Sequence, residues 1–488
     1  MIQIPFDNTF CQLGDKFLQA NTPQRVPSPK LIRFNEELAN ELGIEYDLGK
    51  PADLANVFSG NELVDGSSPL SQAYAGHQFG HFVPQLGDGR AHLLGEVLSK
   101  SGHRYDIQLK GSGTSKFSRQ GDGKSPLGPV LREYIVSEAM NALGIPTTRA
   151  LCAVGTGEAV QREISLPGAV FTRVASSHLR VGTFEYFLRQ GDFESLRTVF
   201  EYTLQRHFPE IDPSSANSAE RFLACLRDKI SDLVAQWLSV GFIHGVMNTD
   251  NTSLAGITID YGPCAFMDEF RSNQVFSYID RQGRYAFHNQ PRIALWNLER
   301  LAECLIPLMP DHGETAIQKL TEVLAKFESQ FVESWLKFHR QKFGFTVSFS
   351  EELELYQSWF QIMEQRSFDF TLSFADLRDR LIGQAGNSTV QSHQDVEVFL
   401  QRWSAALKQQ GIEADQASQT MLESNPSVIP RNHQVEKAIR LAYRGDFEHF
   451  HRLCEITSQP YANDDQVAEE FLTPPKDEER IANTFCGT

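Results

Sequence analysis

The 488-residue chain carries 41% hydrophobic residues, a formal charge of −17 and a pI near 5.3. Such a length outruns one core and points to roughly two to four domains or lobes. The acidic field repels phosphates and argues against nucleic acid as a main partner. No run approaches the roughly 18 to 20 apolar residues that cross a bilayer, so no membrane partner is expected. The start "MIQIPFDNTF" has neither a basic n-region nor an apolar h-region. Seven scattered cysteines, an odd number without C-x-x-C spacing, fit a reducing compartment. The expectation is a cytoplasmic, globular protein.

Residues 1–70 read as an N-terminal extension, with Pro-punctuated segments and a short amphipathic helix in "NEELANELGI". From Ser71, "SQAYAGHQFGHFVPQLGDGRAHLLGEVL" is a glycine-punctuated loop feeding a strand over His92–Leu98. "YDIQLK" alternates Tyr105, Ile107 and Leu109 with Asp106, Gln108 and Lys110, the pattern of a half-buried strand with Lys110 at its polar end. After the loop "GSGTSKFSRQGDGKSPLG", the stripe of Val130, Leu131, Tyr134, Ile135, Ala139 and Leu143 predicts a helix that carries Glu133 and stops at Gly144 and Pro146. "RALCAV" and "AVFTRVA" are further strands. "AERFLACLRDKISDLVAQWLSVGF" and "PRIALWNLERLAECLIPLM" are long amphipathic helices, and most of 315–455 is helical. The charged, Pro-interrupted segment after Ser458 is a surface-running or flexible tail.

This order of parts predicts an α+β fold, specifically a bilobal protein-kinase-like one. The expected divisions are an N-terminal extension (1–70), an N-lobe (71–165), a C-lobe (166–330), a helical region (331–457) and a tail (458–488). "HGVMNTDN", followed nine residues later by Asp260-Tyr-Gly, supports this order. Against the kinase pattern H-R-D-L-x-x-x-N, His244 falls on the His and Asn251 on the metal-binding Asn, but Val246 falls on the catalytic Asp.

The individual pieces read two ways. In "QLGDGRA", Gly87 and Gly89 let backbone amides approach an anion beside Arg90, yet Gly-Asp-Gly is equally a plain turn. Lys110 and Glu133, 23 apart, suit a phosphate-holding pair or an unrelated surface lysine and glutamate. Asp122 and Gly123 precede a helix N-terminus that could bind phosphate, or form a flexible connection. Arg173 and Arg180 anchor one phosphate if they face a cleft; otherwise they make weak surface pairs. Asp250, Asn251 and Asp260 offer hard oxygens for Mg²⁺ or Mn²⁺, where the alternative is an Asx-rich turn. Ile257 and Ile259 mark a strand with Asp260 at its exit. Asp250 is the nearest carboxylate that could replace the missing base.

Taken together, "YAGHQFG", "PQLGDGRAHLLGE", "DIQLKGSG", "FSRQGDG", "REYIVSEAMNALGIPTTRAL", "TRVASSHLRVGTFEYF" and "HGVMNTDNTSLAGITIDYGP" resemble the SelO (selenoprotein O, or YdiU) family of kinase-like protein adenylyltransferases over nearly the full chain. The resemblance implies ATP bound in reverse, with AMP moved to Ser, Thr or Tyr hydroxyls of protein substrates. Self-modification, and UMP transfer from UTP, are further reactions it brings in. Gly87, Gly89, Arg90, Lys110, Asp122, Gly123, Arg173, Arg180 and Asp260 are then nucleotide contacts, with Glu133 supporting Lys110. Asn251 and Asp260 are metal ligands for Mg²⁺ or Mn²⁺, and Asp250 is the base.

The chain departs from the family's usual pattern in "LKGSGTSKFSR", "KSPLGPVL" and "VFSYID". The last lacks the cysteine common in that segment, so a redox link to Cys486 in the tail requires Cys264 of "DYGPC" as replacement partner. The competing readings are an atypical protein or small-molecule kinase, which Val246 disfavours, and an inactive pseudokinase scaffold.

Overall fold

The computed structural model describes residues 2–311, 313–383, 390, 393–461 and 467–485. Its first half is organised by an eight-stranded antiparallel sheet. Strands β1 (Leu18–Ala20), β2 (Lys30–Phe34) and β3 (Leu70–Gln72) precede a small hairpin of β4 (Gly76–Gln78) and β5 (His81–Val83). The long strands β6 (Ala91–Leu98) and β7 (Arg104–Lys110) follow, then β8 (Ser125–Pro126), β9 (Arg149–Gln161) and β10 (Ser165–Ala175). The sheet order is β1-β3-β6-β7-β10-β9-β2, with β8 against β10. Residues 18–34 therefore supply both sheet edges, although the sequence reads there as an extension.

Side chains two apart on a strand share a face, and register aligns faces across strands. Pairing of Lys110 with Phe171 and of Gln108 with Arg173 puts Lys110, Gln108 and Arg173 on one side. Ile107 and Leu109 point to the other side, where helices α1 (Glu36–Glu41) and α2 (Pro51–Ser59) bury Leu38, Leu54 and Phe58 against them. Asn35 caps α1 by accepting the Leu38 N–H at 3.1 Å. The polar face of β7 is covered as well: Asp106 and Gln108 are buried, so the strand is not half-solvated as its alternation suggests. That face meets α3 (Leu127–Ala142), whose Val130, Leu131, Tyr134 and Ile135 pack with Phe171. Helices Asn432–Ala442 and Glu448–Thr457 cover the outer side of α3 through Val435, Ile439, Phe450 and Leu453.

The second half is mainly helical. Helices α4 (Val181–Gln190), α5 (Phe193–His207), α6 (Ser218–Ser239) and α7 (Gln290–Leu305) share a core that includes Phe184, Phe222, Leu226 and Leu298. Between α6 and α7, a two-stranded ribbon of β11 (Phe242–Ile243) and β12 (Ala265–Phe266) brackets the "HGVMNTDN" and "DYG" segments. The strand expected at Ile257–Ile259 reduces to one bridge between Thr258 and Thr147. A separate aromatic core with Phe343, Tyr356, Trp359, Phe374 and Trp403 joins the later helices. The tail is anchored where described: Phe471 and Thr484 are each 1% exposed, because Phe471 has an apolar seat and Thr484 pairs with Ser277. No helix among the described residues is long and apolar enough to cross a membrane.

Lys342 is buried in the aromatic core, with Nζ donating to Asn425 Oδ1 at 2.6 Å and lying 4.2 Å from the Phe374 ring centre. Burial pulls its pKa down to about 7. The unfolded chain therefore binds more protons than the folded one between pH 7 and the ordinary lysine range, and this group makes stability rise with pH across that window. In melting curves from pH 7 to 10, Lys342→Met should lack this increment relative to the parent; parallel curves for the two proteins would refute it.

Candidate active site

All the positions singled out from sequence for nucleotide, metal and base roles line one cavity of ≈ 760 Å³. They are Gly87, Gly89, Arg90, Lys110, Asp122, Gly123, Glu133, Arg173, Arg180, Asp250, Asn251 and Asp260. The volume suits a nucleotide-sized ligand.

At its floor is a charge cluster. Lys110 Nζ donates to Glu133 Oε2 at 2.7 Å and to Asp260 Oδ1 at 2.9 Å. Arg173 Nε donates to Glu133 Oε1 at 3.0 Å, and Arg173 Nη2 donates to Asp260 Oδ1 at 2.5 Å. Arg180 Nη1 reaches Asp260 Oδ2 at 2.5 Å and the Asp250 carbonyl at 2.7 Å. Three cations thus face two carboxylates, leaving one net positive charge. Arg173 is 1% and Arg180 3% exposed, so these are not surface pairs. Burial opposes ionisation of Asp260, but Arg173, Lys110 and Arg180 outweigh it and hold the carboxyl well below its usual range. Asp260 has a left-handed backbone with φ 64°, which a non-glycine residue adopts at some cost. The ion pairs offset that cost. Arg180 also lies 4.7 Å over the Tyr74 ring, a cation–π contact absent from the sequence reading.

The loop above the cluster is a single 3₁₀ turn over Thr249–Asn251. Val181 N–H donates to Thr252 O and Leu254 N–H to Leu179 O, each at 3.0 Å, tying the loop to the start of α4 beside Arg180. His244 keeps a structural role, with Nε2 2.9 Å from Ile259 O. Asp250 is 7% exposed, and its Oδ1 has no hydrogen-bond partner. Its Oδ2 accepts one long bond, 3.3 Å, from Gln78. Burial pushes this carboxyl up to about 6 against the pull of Arg180, the condition of a group able to take a proton near neutrality. Asn251 donates its amide to Val246 O at 2.9 Å, which leaves its Oδ1 as the acceptor.

Among the described residues no three His, Cys, Asp or Glu side chains come together to hold a metal ion. The donors at hand are the Asn251 oxygen and the Asp260 carboxylate, hard oxygens too few for an all-protein cage. Both Asp260 oxygens already accept from Lys110, Arg173 and Arg180, so the pair fits an ion only when arriving phosphates draw those cations off and complete its shell with water.

The glycine loops show the internal bonds of the turn that the sequence also allowed. Gly87 N–H donates to Tyr74 O at 3.1 Å and Gly89 N–H to Gly87 O at 2.8 Å, so neither amide is spent on an anion. Glycine is required there for space: a Cβ on Gly87, at φ 70°, would lie 2.3 Å from the Phe117 ring. Gly123 is likewise pressed on Gly113, where a Cβ would meet backbone at 2.2 Å. Asp122 accepts from Arg162 at 2.8 and 3.1 Å, fixing that arginine at the cavity wall. Of the residues named for redox chemistry, Cys264 is buried and Cys486 lies outside the described residues. Thr484 Oγ1 donates to the Pro263 carbonyl at 2.7 Å, so the tail runs beside Cys264. The sequence reading gave no role to Tyr74, Gln78 or Arg162, although "AYAGHQFG" held a visible signal in its two glycines.

The family model described as "Protein adenylyltransferase SelO" matches residues 1–458. The chain belongs to this family. It is 50% identical over 487 residues to a protein nucleotidyltransferase YdiU of Ruegeria sp., covering all of both chains. Another YdiU, from Agrobacterium fabrum, is 48% identical over 496 residues, with 99% of each chain covered. A third, from Maridesulfovibrio salexigens, is 48% identical over 494 residues, 99% of this chain and 98% of the relative.

The charge cluster carries a stability prediction. Asp260→Ala leaves Lys110 and Arg173 with Glu133 alone and strips Arg180 of its carboxylate partner, and breaking a buried pair costs about 3–5 kcal/mol. Chemical denaturation should register that loss, and added pyrophosphate should recover more stability in the variant than in the parent. An unaltered midpoint would refute the cluster's importance.

Proposed function

We propose that the chain is a protein adenylyltransferase that moves AMP from ATP to a Ser, Thr or Tyr hydroxyl of a protein, itself included, and releases pyrophosphate. The observation that carries this reading is Asp250: a buried, weakly hydrogen-bonded carboxylate on the same cavity as three deep cations, where the kinase base position holds Val246. The antiparallel sheet with α3, followed by the helical half, is read as a kinase-like bilobal fold. Its divisions are those expected from sequence, at 71–165 and 166–330, with 1–70, 331–457 and 458–488 added around them.

In this reading ATP lies with its γ-phosphate deepest, against Lys110, Arg173 and Arg180. Asp250 accepts the acceptor's hydroxyl proton as that oxygen bonds the α-phosphorus. The bond from the α-phosphorus to the bridging oxygen breaks, and pyrophosphate leaves with the electron pair. Its growing charge meets Lys110 and the arginines, already fixed in place, so little reorganisation is needed. Glu133 holds Lys110 and Arg173 in register. Arg90 and Arg162 stand at the cavity wall, and Gly87, Gly89, Asp122 and Gly123 shape the loop over the phosphates. Asn251 and Asp260 would hold Mg²⁺ or Mn²⁺, which supplies positive charge to the phosphate oxygens when bound. UTP is read as a second donor. The work is assigned to the cytoplasm, without nucleic-acid or membrane partners, and a redox role for Cys486 stands only if Cys264 replaces the partner missing from "VFSYID".

Incubation with ATP labelled at the α- or the γ-phosphate tests the reaction. Label should enter protein from the α position only, and Asp250→Asn should lower the rate by about 100-fold or more. Label entering from the γ position would replace this reading with a kinase.

A further inference from the structure

The β4–β5 hairpin holds the catalytic loop residue by residue. His77 N–H donates to Thr249 Oγ1 at 2.6 Å, Phe79 N–H donates to Asn248 Oδ1 at 3.1 Å, and Gln78 Nε2 donates to Asp250 Oδ2 at 3.3 Å. Three successive hairpin residues thus engage three successive loop residues. The arrangement is braced from α4: buried Glu185 accepts from Thr249 Oγ1 at 2.6 Å, and its other oxygen lies 2.5 Å from His77 Nδ1. The turn is tight, with Phe79 at φ 52° and Gly80 at φ 85°, the two left-handed residues of a type I′ hairpin. Phenylalanine is costly in that first position. It is held by its bond to Asn248 and by ring contact with Tyr285 at 5.1 Å. Strain retained in this way beside a reactive group marks a constrained site.

The hairpin also closes on the carboxylate itself. A Cβ on Gly76 would lie 2.4 Å from Asp250 Oδ1, so the bare glycine backbone covers that oxygen. With Oδ1 shut away, Oδ2 is the oxygen that can reach a hydroxyl in the cavity. Gln78 is the side chain that donates to it, and Gln78 lines the same cavity. Its amide gives this oxygen a single directed hydrogen bond, which orients it.

We propose that Gln78 is a positioning residue for Asp250, and that the Gly76–Val83 hairpin is the clamp that presents one carboxylate oxygen to the acceptor hydroxyl. This rests on Asp250 being the base. It predicts a defect in turnover separate from nucleotide binding. Gln78→Met keeps the side chain's length and removes the donor. Gly76→Ala drives a methyl group into Oδ1.

The test uses the full chain, ATP labelled at the α-phosphate, and both the protein itself and casein as acceptors. Gln78→Met should lower kcat roughly 10- to 100-fold, the range expected for a misplaced reacting group. Its KM for ATP, and its thermal shift on adding ATP, should stay within about twofold of the parent. Gly76→Ala should show the same split if it folds; if it does not, Gln78→Met alone decides. Equal kcat in Gln78→Met and the parent overturns the proposal, as does a fall in ATP affinity that accounts for the whole loss. A parent that transfers no label at all sinks the adenylyltransferase reading itself, an outcome distinct from either.

Discussion

The carboxylate of Asp260 is the joint on which the site depends. Lys110 comes from the end of β7, Arg173 from β10 and Arg180 from the start of α4, and all three meet at this one side chain. A buried cation without a partner is expensive, and so is a buried carboxylate. Neither the sheet nor the loop can therefore be displaced without uncovering a charge. The cluster has one positive charge more than its own carboxylates neutralise. An anionic phosphate chain arriving in the cavity thus finds charges already gathered.

Around this joint, Arg180 also touches the neighbouring Asp250, through its backbone carbonyl. The floor is cationic and saturated with ion pairs. The Asp250 side chain itself has one oxygen covered by glycine and the other bonded once to a neutral amide. A carboxylate surrounded by arginines would be a poor base, and a phosphate site without them would be a poor anchor. Here the arginines' side-chain bonds go to Asp260 and Glu133, and the Asp250 side chain is left to Gln78.

Much of this was legible in the sequence where the signal was local. The alternation in "YDIQLK" and the helical stripe around Glu133 led to the right elements, and the spacing of Asp250, Asn251 and Asp260 led to residues that line one cavity. What stayed hidden depended on chain segments far apart. Asp106 and Gln108 look like a solvent face until His178 and Arg206 close on the first and Asp88 on the second. Gly87 and Gly89 look like an anion nest because Phe117, which forces them to be glycine, belongs to a different loop. The hairpin over Asp250 was invisible for the same reason: Gln78 and Asp250 are 172 residues apart, and no periodicity links them. The tail's charge and prolines suggested mobility, whereas single buried side chains such as Phe471 anchor it.

Helix α3 carries Glu133 and is covered on both sides, by the sheet and by Asn432–Ala442 with Glu448–Thr457. A helix with one bare flank can swing outward and pull its glutamate away from the lysine, and kinase-like enzymes use that motion as an on–off control. Here the swing would have to open two apolar contacts at once. The Lys110–Glu133 pair is accordingly held by a helix wedged from both sides.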